Sequence, residues 1–149
     1  MNKDNKCEEK NEINVLDELN KGACMGMDAI KFILDKVEDK NLYSILEGQY
    51  NEYEKISKKI HDSYPDCNKE PHETSTMNKV MTWYGIEMRT ITDHSTSKIA
   101  ELLLQGTNMG IIEGRRLLNH KSTDDDIHSI VQEYVNMQEK MVEKLKDFL

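Results

Sequence analysis

The sequence predicts an all-α protein, a four-helix bundle with a further, crossover helix between its two hairpins. Apolar residues recur at spacings of three and four along most of the chain, with no alternating β-branched run. Both prolines, Pro65 and Pro71, fall in one segment, YPDCNKEPHETS, which divides the helical pattern. The 149 residues are enough for one hydrophobic core without disulfides or a structural metal. The expected organisation is a disordered tail over 1–12 and one helical domain over 13–149.

The first helix is expected over about 13–37, with Leu16, Leu19, Ala23, Met27, Ile30, Leu34 and Val37 on one stripe. A short break follows, so the second helix, over about 41–62, is its antiparallel neighbour. That helix carries Leu42, Leu46, Gln49, Tyr53, Ile56 and Ile60 on one face. A third is expected over about 76–93, with Met77, Val80, Met81, Tyr84, Met88 and Ile91. The cluster HSTS then offers N-caps for a fourth helix over about 97–119. This fourth helix is apolar over most of its circumference and is expected to be the most buried. The fifth, over about 123–148, shows the stripe Ile127, Val131, Tyr134, Gln138, Met141 and Leu145.

At 1.5 Å per residue the third helix would span about 27 Å, enough to recross a bundle. Helices one and two then form one hairpin, helices four and five another, and the third carries the chain from one end to the other. That is ferritin-like connectivity. A five-helix up-and-down bundle is the alternative.

Twenty Lys plus Arg against 28 Asp plus Glu give a formal charge of −8, which disfavours nucleic acid and anionic membrane surfaces as partners. The 17 Lys against three Arg suggest a bacterial, AT-rich coding sequence. Cys7, Cys24 and Cys67 are odd in number and widely spaced, which fits a reducing, cytoplasmic setting. No signal peptide or membrane span is readable.

The run VMTWYGIEMRTITDHSTSKIAELLLQGTNMGIIEGRRLLN, from Val80 to Asn119, resembles an uncharacterised family of helical bundles from low-GC anaerobic bacteria, grouped with ferritin-like, rubrerythrin-related proteins. Its most distinctive piece, IAELLLQGTNMGIIEG from Ile99 to Gly114, is a packing pattern. The resemblance implies a fold. It leaves the reaction open, because ferritin-like families include di-iron oxidases, iron stores and members without a metal site.

A di-iron bundle needs inward carboxylates on two helices and a Glu-x-x-His pair on each of two others. No Glu-x-x-His occurs here, and the nearest match, Asp125-x-x-His128, falls in a first turn where the helix dipole already favours an acid. On a helical wheel Asp17, Glu18, Asp28 and Asp35 face away from the first helix's apolar stripe. No metal or other cofactor is therefore expected. Iron or another divalent metal held by atypical ligands, drawn from Glu113, Glu87, Glu54, His61 and His120, is the alternative. Glu113 falls near the apolar arc of its helix, with an ion pair to Arg116 as its structural explanation. Glu47, Tyr50, Glu54 and His61 share a flank of the second helix that reads as a solvated face. The methionines at helical spacing read as adaptable core.

Gln49 and Gln138 stand mid-stripe, where an unpartnered buried amide costs about 1 to 3 kcal/mol. They are expected to bond each other, Tyr53 or Tyr134 and fix register, or to line a small polar cavity. Gly22 and Gly26 in the first helix, and Gly106, Gly110 and Gly114 in the fourth, each cost about 1 kcal/mol relative to Ala. They predict a seam in which these two antiparallel helices approach closely, or a groove for an apolar molecule. The expected function is a non-enzymatic bundle acting through a protein partner or homo-oligomerisation. A metal-binding oxidoreductase or store and a small-molecule binder are the alternatives.

Overall fold

The computed structural model describes the backbone of residues 3–64, 78–121 and 123–149, with side chains for 10–64, 84–121 and 123–149. The proline segment, Cys67, Met77 and the side chains of Cys7, Val80 and Met81 lie outside the described residues. Five α-helices account for most of the rest: α1 (Lys3–Ile33), α2 (Lys40–Ser63), α3 (Asn78–Thr90), α4 (Thr96–His120) and α5 (Asp125–Lys146). No strand occurs among the described residues.

α1 begins well before residue 13, so most of the segment expected as a tail continues the helix. Its lysines and glutamates are good helix formers. The Glu12 carboxylate also accepts the Asp124 N–H at 3.3 Å, tying this turn to the start of α5. At its other end α1 stops at Ile33 and tightens into a 3-10 turn, Leu34–Lys36. Asp39 then caps α2, its Oδ1 accepting from the Leu42 N–H at 2.9 Å.

The stripe of α2 is buried as patterned: Leu42, Leu46, Gln49, Tyr53, Ile56 and Ile60. Over the described residues α3 runs for 13 residues, about 20 Å, and ends three residues before expected; its expected start at 76–77 lies outside the described residues. It ends at Thr90, where Thr90, Ile91 and Thr92 lower helix propensity through β-branching. Asp93 Oδ1 then accepts from the Ser95 N–H at 2.9 Å, and Ser95 caps α4. Asp124 caps α5 through the Ile127 N–H at 2.8 Å.

Seven of the 25 residues of α4 are buried, against nine of 22 in α5, so α5 and not α4 is the more buried helix. The reason is local. Tyr84 of α3 reaches α4 at Gly106, in its N-terminal half, while Ile112 further on is 50% exposed.

Helix α1 neighbours α2 and α4, α5 neighbours the same two, and α3 lies against α1 and α4. Tyr64, just past α2, donates its hydroxyl to Asp17 Oδ1 at 2.5 Å, and Lys59 of α2 pairs with Glu133 of α5 at 2.8 Å. With the Glu12–Asp124 contact, these bonds gather the start of α1, the end of α2 and the start of α5 at one end of the bundle. α1 and α5 therefore run one way, α2 and α4 the other.

Asp17 and Glu18 do not face solvent. They are 3% and 8% exposed, within an unbroken buried run from Val15 to Asn20. A wheel assumes one covered face, and at this level α1 is enclosed all round. No helix among the described residues is long and apolar enough to cross a membrane.

Candidate functional site

Polar groups converge at mid-height in the bundle. Helix α2 contributes Gln49 and Tyr53, one turn apart on its buried stripe, and α5 contributes Tyr134 and Gln138 in the same relation. Tyr84 reaches in from α3. The Tyr53 hydroxyl donates to Gln138 Oε1 at 2.7 Å, and Gln138 Nε2 donates to the Tyr134 oxygen at 3.1 Å. Tyr53 and Gln138 thus join α2 to α5, while the Gln138–Tyr134 bond stays within α5.

Gln49 is 6% exposed and its Nε2 has no hydrogen-bond partner among the described residues. It borders a void of about 30 Å³ at the bundle centre, shared with Tyr53, Tyr84, Tyr134 and Gln138. A void this size admits a water-sized group, since about 10 to 15 Å³ suffices for one. Thr107 also lines it, but its hydroxyl is already bonded to the Leu103 carbonyl at 2.8 Å.

The glycines explain how the rings fit. A methyl group on Gly22 would sit 2.5 Å from the Tyr134 oxygen, and one on Gly106 would sit 2.5 Å from Tyr84 Cζ. Gly26 faces Tyr53, Gly110 faces Gln138 and Tyr134, and Gly114 faces Val135 Cγ2. Side chains lie at the expected seam. α1 and α4 are antiparallel neighbours, yet the atoms nearest each glycine are side chains arriving from α2, α3 and α5. Gly22, Gly26 and Gly106 make slots for phenol rings.

Burial pushes the Tyr53 hydroxyl up to about 12, with the neighbouring amides of Gln138 and Gln49 offsetting part of the effect. Tyr84 and Tyr134 are raised in the same direction, first by burial and then by the charge Tyr53 would carry. All three phenols are protonated at neutral pH; Tyr53 donates to Gln138, and Tyr134 accepts from it.

The atypical metal candidates are not brought together. Glu54, His61, Glu87 and His120 are exposed on three different helices. Glu113, with a side chain 30% exposed, accepts from Arg116 at 2.6 Å. No group of three or more His, Cys, Asp or Glu able to hold a metal occurs among the described residues. The buried Asp17 is bonded to Tyr64, away from the central void. Cys24 is half-buried, and burial, then the Asp28 charge, push its thiol up, the opposite of what activates a nucleophile.

Helical periodicity placed the two glutamines in the core. It did not bring Tyr84 to them, because that depends on how α3 lies across α1 and α4. The glycines were the available signal: four of the five, Gly22, Gly26, Gly106 and Gly110, face the three tyrosines of the site.

Fold and site together define an all-α bundle with a tyrosine–glutamine centre. No known protein family, curated protein or solved structure matches the chain.

Proposed function

We propose that the protein is a ferritin-like bundle whose centre binds a small uncharged molecule through a hydrogen-bond acceptor on that molecule. The observation that carries this is Gln49 Nε2, buried, without a partner among the described residues, and facing a void ringed by phenols. A purely structural amide would be expected to complete its bonds, because a buried unsatisfied donor costs about 1 to 3 kcal/mol. The helix order supports the ferritin-like part of the reading. Two antiparallel hairpins, α1–α2 and α4–α5, are joined by a segment that starts at one end of the bundle and delivers the chain to the other.

The test uses acetone, a small neutral acceptor, titrated into the parent protein and into Gln49→Leu, with side-chain amide resonances followed by NMR. Saturable shifts of the Gln49 and Gln138 amides in the parent, and no saturable response at Gln138 in the variant, are expected. Gln49→Leu should also raise thermal stability in the absence of acetone, since it removes the unsatisfied donor. A parent protein that shows no saturable response would overturn the proposal.

A further inference from the structure

Resting on that reading, we infer that the ligand is a neutral oxygen compound with an unbranched apolar chain. Its oxygen sits at Gln49, and its chain passes Met25 and Tyr84 into the groove between α1 and α3. Three features of the molecule lead there.

The void has donors to spare. Gln49 Nε2 offers its protons, Tyr84 offers a hydroxyl, and Tyr134, whose oxygen already accepts from Gln138, has its own proton to give. The complementary group is an acceptor such as a ketone or ester oxygen. No charged side chain lines the void. A carboxylate or ammonium placed there would lose its hydration with no counter-charge in return, so the ligand head is neutral.

Size supplies the chain. The void of about 30 Å³ takes an acceptor and little more. Outside it, between α1 and α3, lies a groove of about 310 Å³ that shares Met25, Ala29 and Tyr84 as walls. Phe32 and Met88 extend its apolar lining, and the exposed Asp28 and Arg89 mark where it meets water. Void and groove together reach the lower end of the roughly 300 to 1,000 Å³ of ordinary small-molecule sites.

Direction is decided by the opposite side. Gln49 also borders a groove between α2 and α5, where Glu52, Glu133, Lys140 and Lys144 supply charge on both walls. An apolar chain gains nothing by leaving that way. Toward α3 it meets methionine and phenylalanine.

The experiment compares 2-octanone with acetone, octanoate and octylamine on the full chain, using NMR titration and intermolecular NOEs. 2-Octanone should bind at least tenfold more tightly than acetone, and octanoate and octylamine at least tenfold more weakly than 2-octanone. NOEs should connect the ketone's chain protons to the Met25 and Met88 methyl groups. Gly85→Leu, on the α3 wall of the groove and not on the void, should weaken 2-octanone at least tenfold and leave acetone unchanged. Acetone bound at Gln49 with no advantage for 2-octanone, or no NOE to Met88, overturns the groove assignment and leaves the central site standing. Octanoate binding as tightly as 2-octanone overturns the neutral class. If neither ketone binds, the central site itself fails, and this inference with it.

Discussion

Replacing Gly26 and Gly48 by alanine, one at a time, should change stability in opposite directions. Both glycines lie inside helices, so each alanine gains about 1 kcal/mol of helix propensity. At Gly48, exposed on α2, an added Cβ meets nothing within 4 Å. The gain should stand, raising the melting temperature by about 2 to 4 °C for a chain of this size. At Gly26 the Cβ would lie 2.6 Å from Tyr53 Cε2 and 2.7 Å from its oxygen, far inside contact distance. Tyr53 cannot simply yield, being 4% exposed and bonded to Gln138 at 2.7 Å. Overpacking costs about 1 to 3 kcal/mol. If the ring moves enough to break its bond, the orphaned groups add about 1 to 3 kcal/mol more. Set against the propensity gain, Gly26→Ala should lose about 0 to 5 kcal/mol, a range that reflects how far Tyr53 shifts. Urea unfolding followed by circular dichroism at 222 nm measures both variants. A Gly26→Ala protein as stable as Gly48→Ala would refute the account of glycines as slots for phenol rings.

Stability should fall as pH rises above about 10. The Tyr53 phenol ionises near 10 in the unfolded chain and only at about 12 in the folded one, so its contribution is full below 10 and is lost between 10 and 12. Tyr64, Tyr84 and Tyr134 are raised in the same direction, and each contributes up to about 1.4 kcal/mol per pH unit across its window. Urea midpoints between pH 8 and 11.5, with phenolate absorbance at 295 nm, check this; a flat midpoint contradicts it. Asp124→Ala and Asp39→Ala each remove a helix-capping bond and should each lower stability by about 1 kcal/mol, read from the same urea curves. Elemental analysis of protein grown with iron, manganese and zinc should find less than one equivalent of these metals per chain. Two or more, lost together in Glu113→Ala, would restore the metal-binding alternative.

Periodicity worked where a helix has one wet face and one dry face. α2 and α5 expose their polar sides along their length, and every stripe position read for them is buried. It failed where that condition fails. α1 is enclosed around Asp17 and Glu18, and Tyr64, from beyond α2, bonds Asp17. The end of α3 was misplaced because its sequence stays compatible with helix through Thr92, and what stops it is the competing turn at Asp93 and Ser95. The glycines were legible as a cost needing compensation. What compensates was not, because a glycine reads the same whether it admits a backbone or a ring, and the arrival of Tyr53, Tyr84 and Tyr134 is set by three other helices.

Apart from the buried Asp17 and Glu18, departures from ordinary core construction gather in one layer. Toward one end α1 and α2 contribute Leu16, Leu19, Ile56 and Ile60, and toward the other Ile33 and Leu42, all among the most buried apolar side chains. Between them stand Gly22, Gly26, Gly106 and Gly110, with Tyr53, Tyr84, Tyr134 and two glutamines filling the space they leave. Alanine and leucine in that layer would avoid about 1 kcal/mol of helix weakening per glycine and the unsatisfied Gln49 donor. If the polar residues served only to fix register, the Tyr53–Gln138 bond between α2 and α5 would suffice, and Gln49, whose amide lies by the Tyr53 hydroxyl, would add a buried Nε2 without a full hydrogen bond. On the proposed reading, an acceptor bound in the void would offset part of the cost this layer carries.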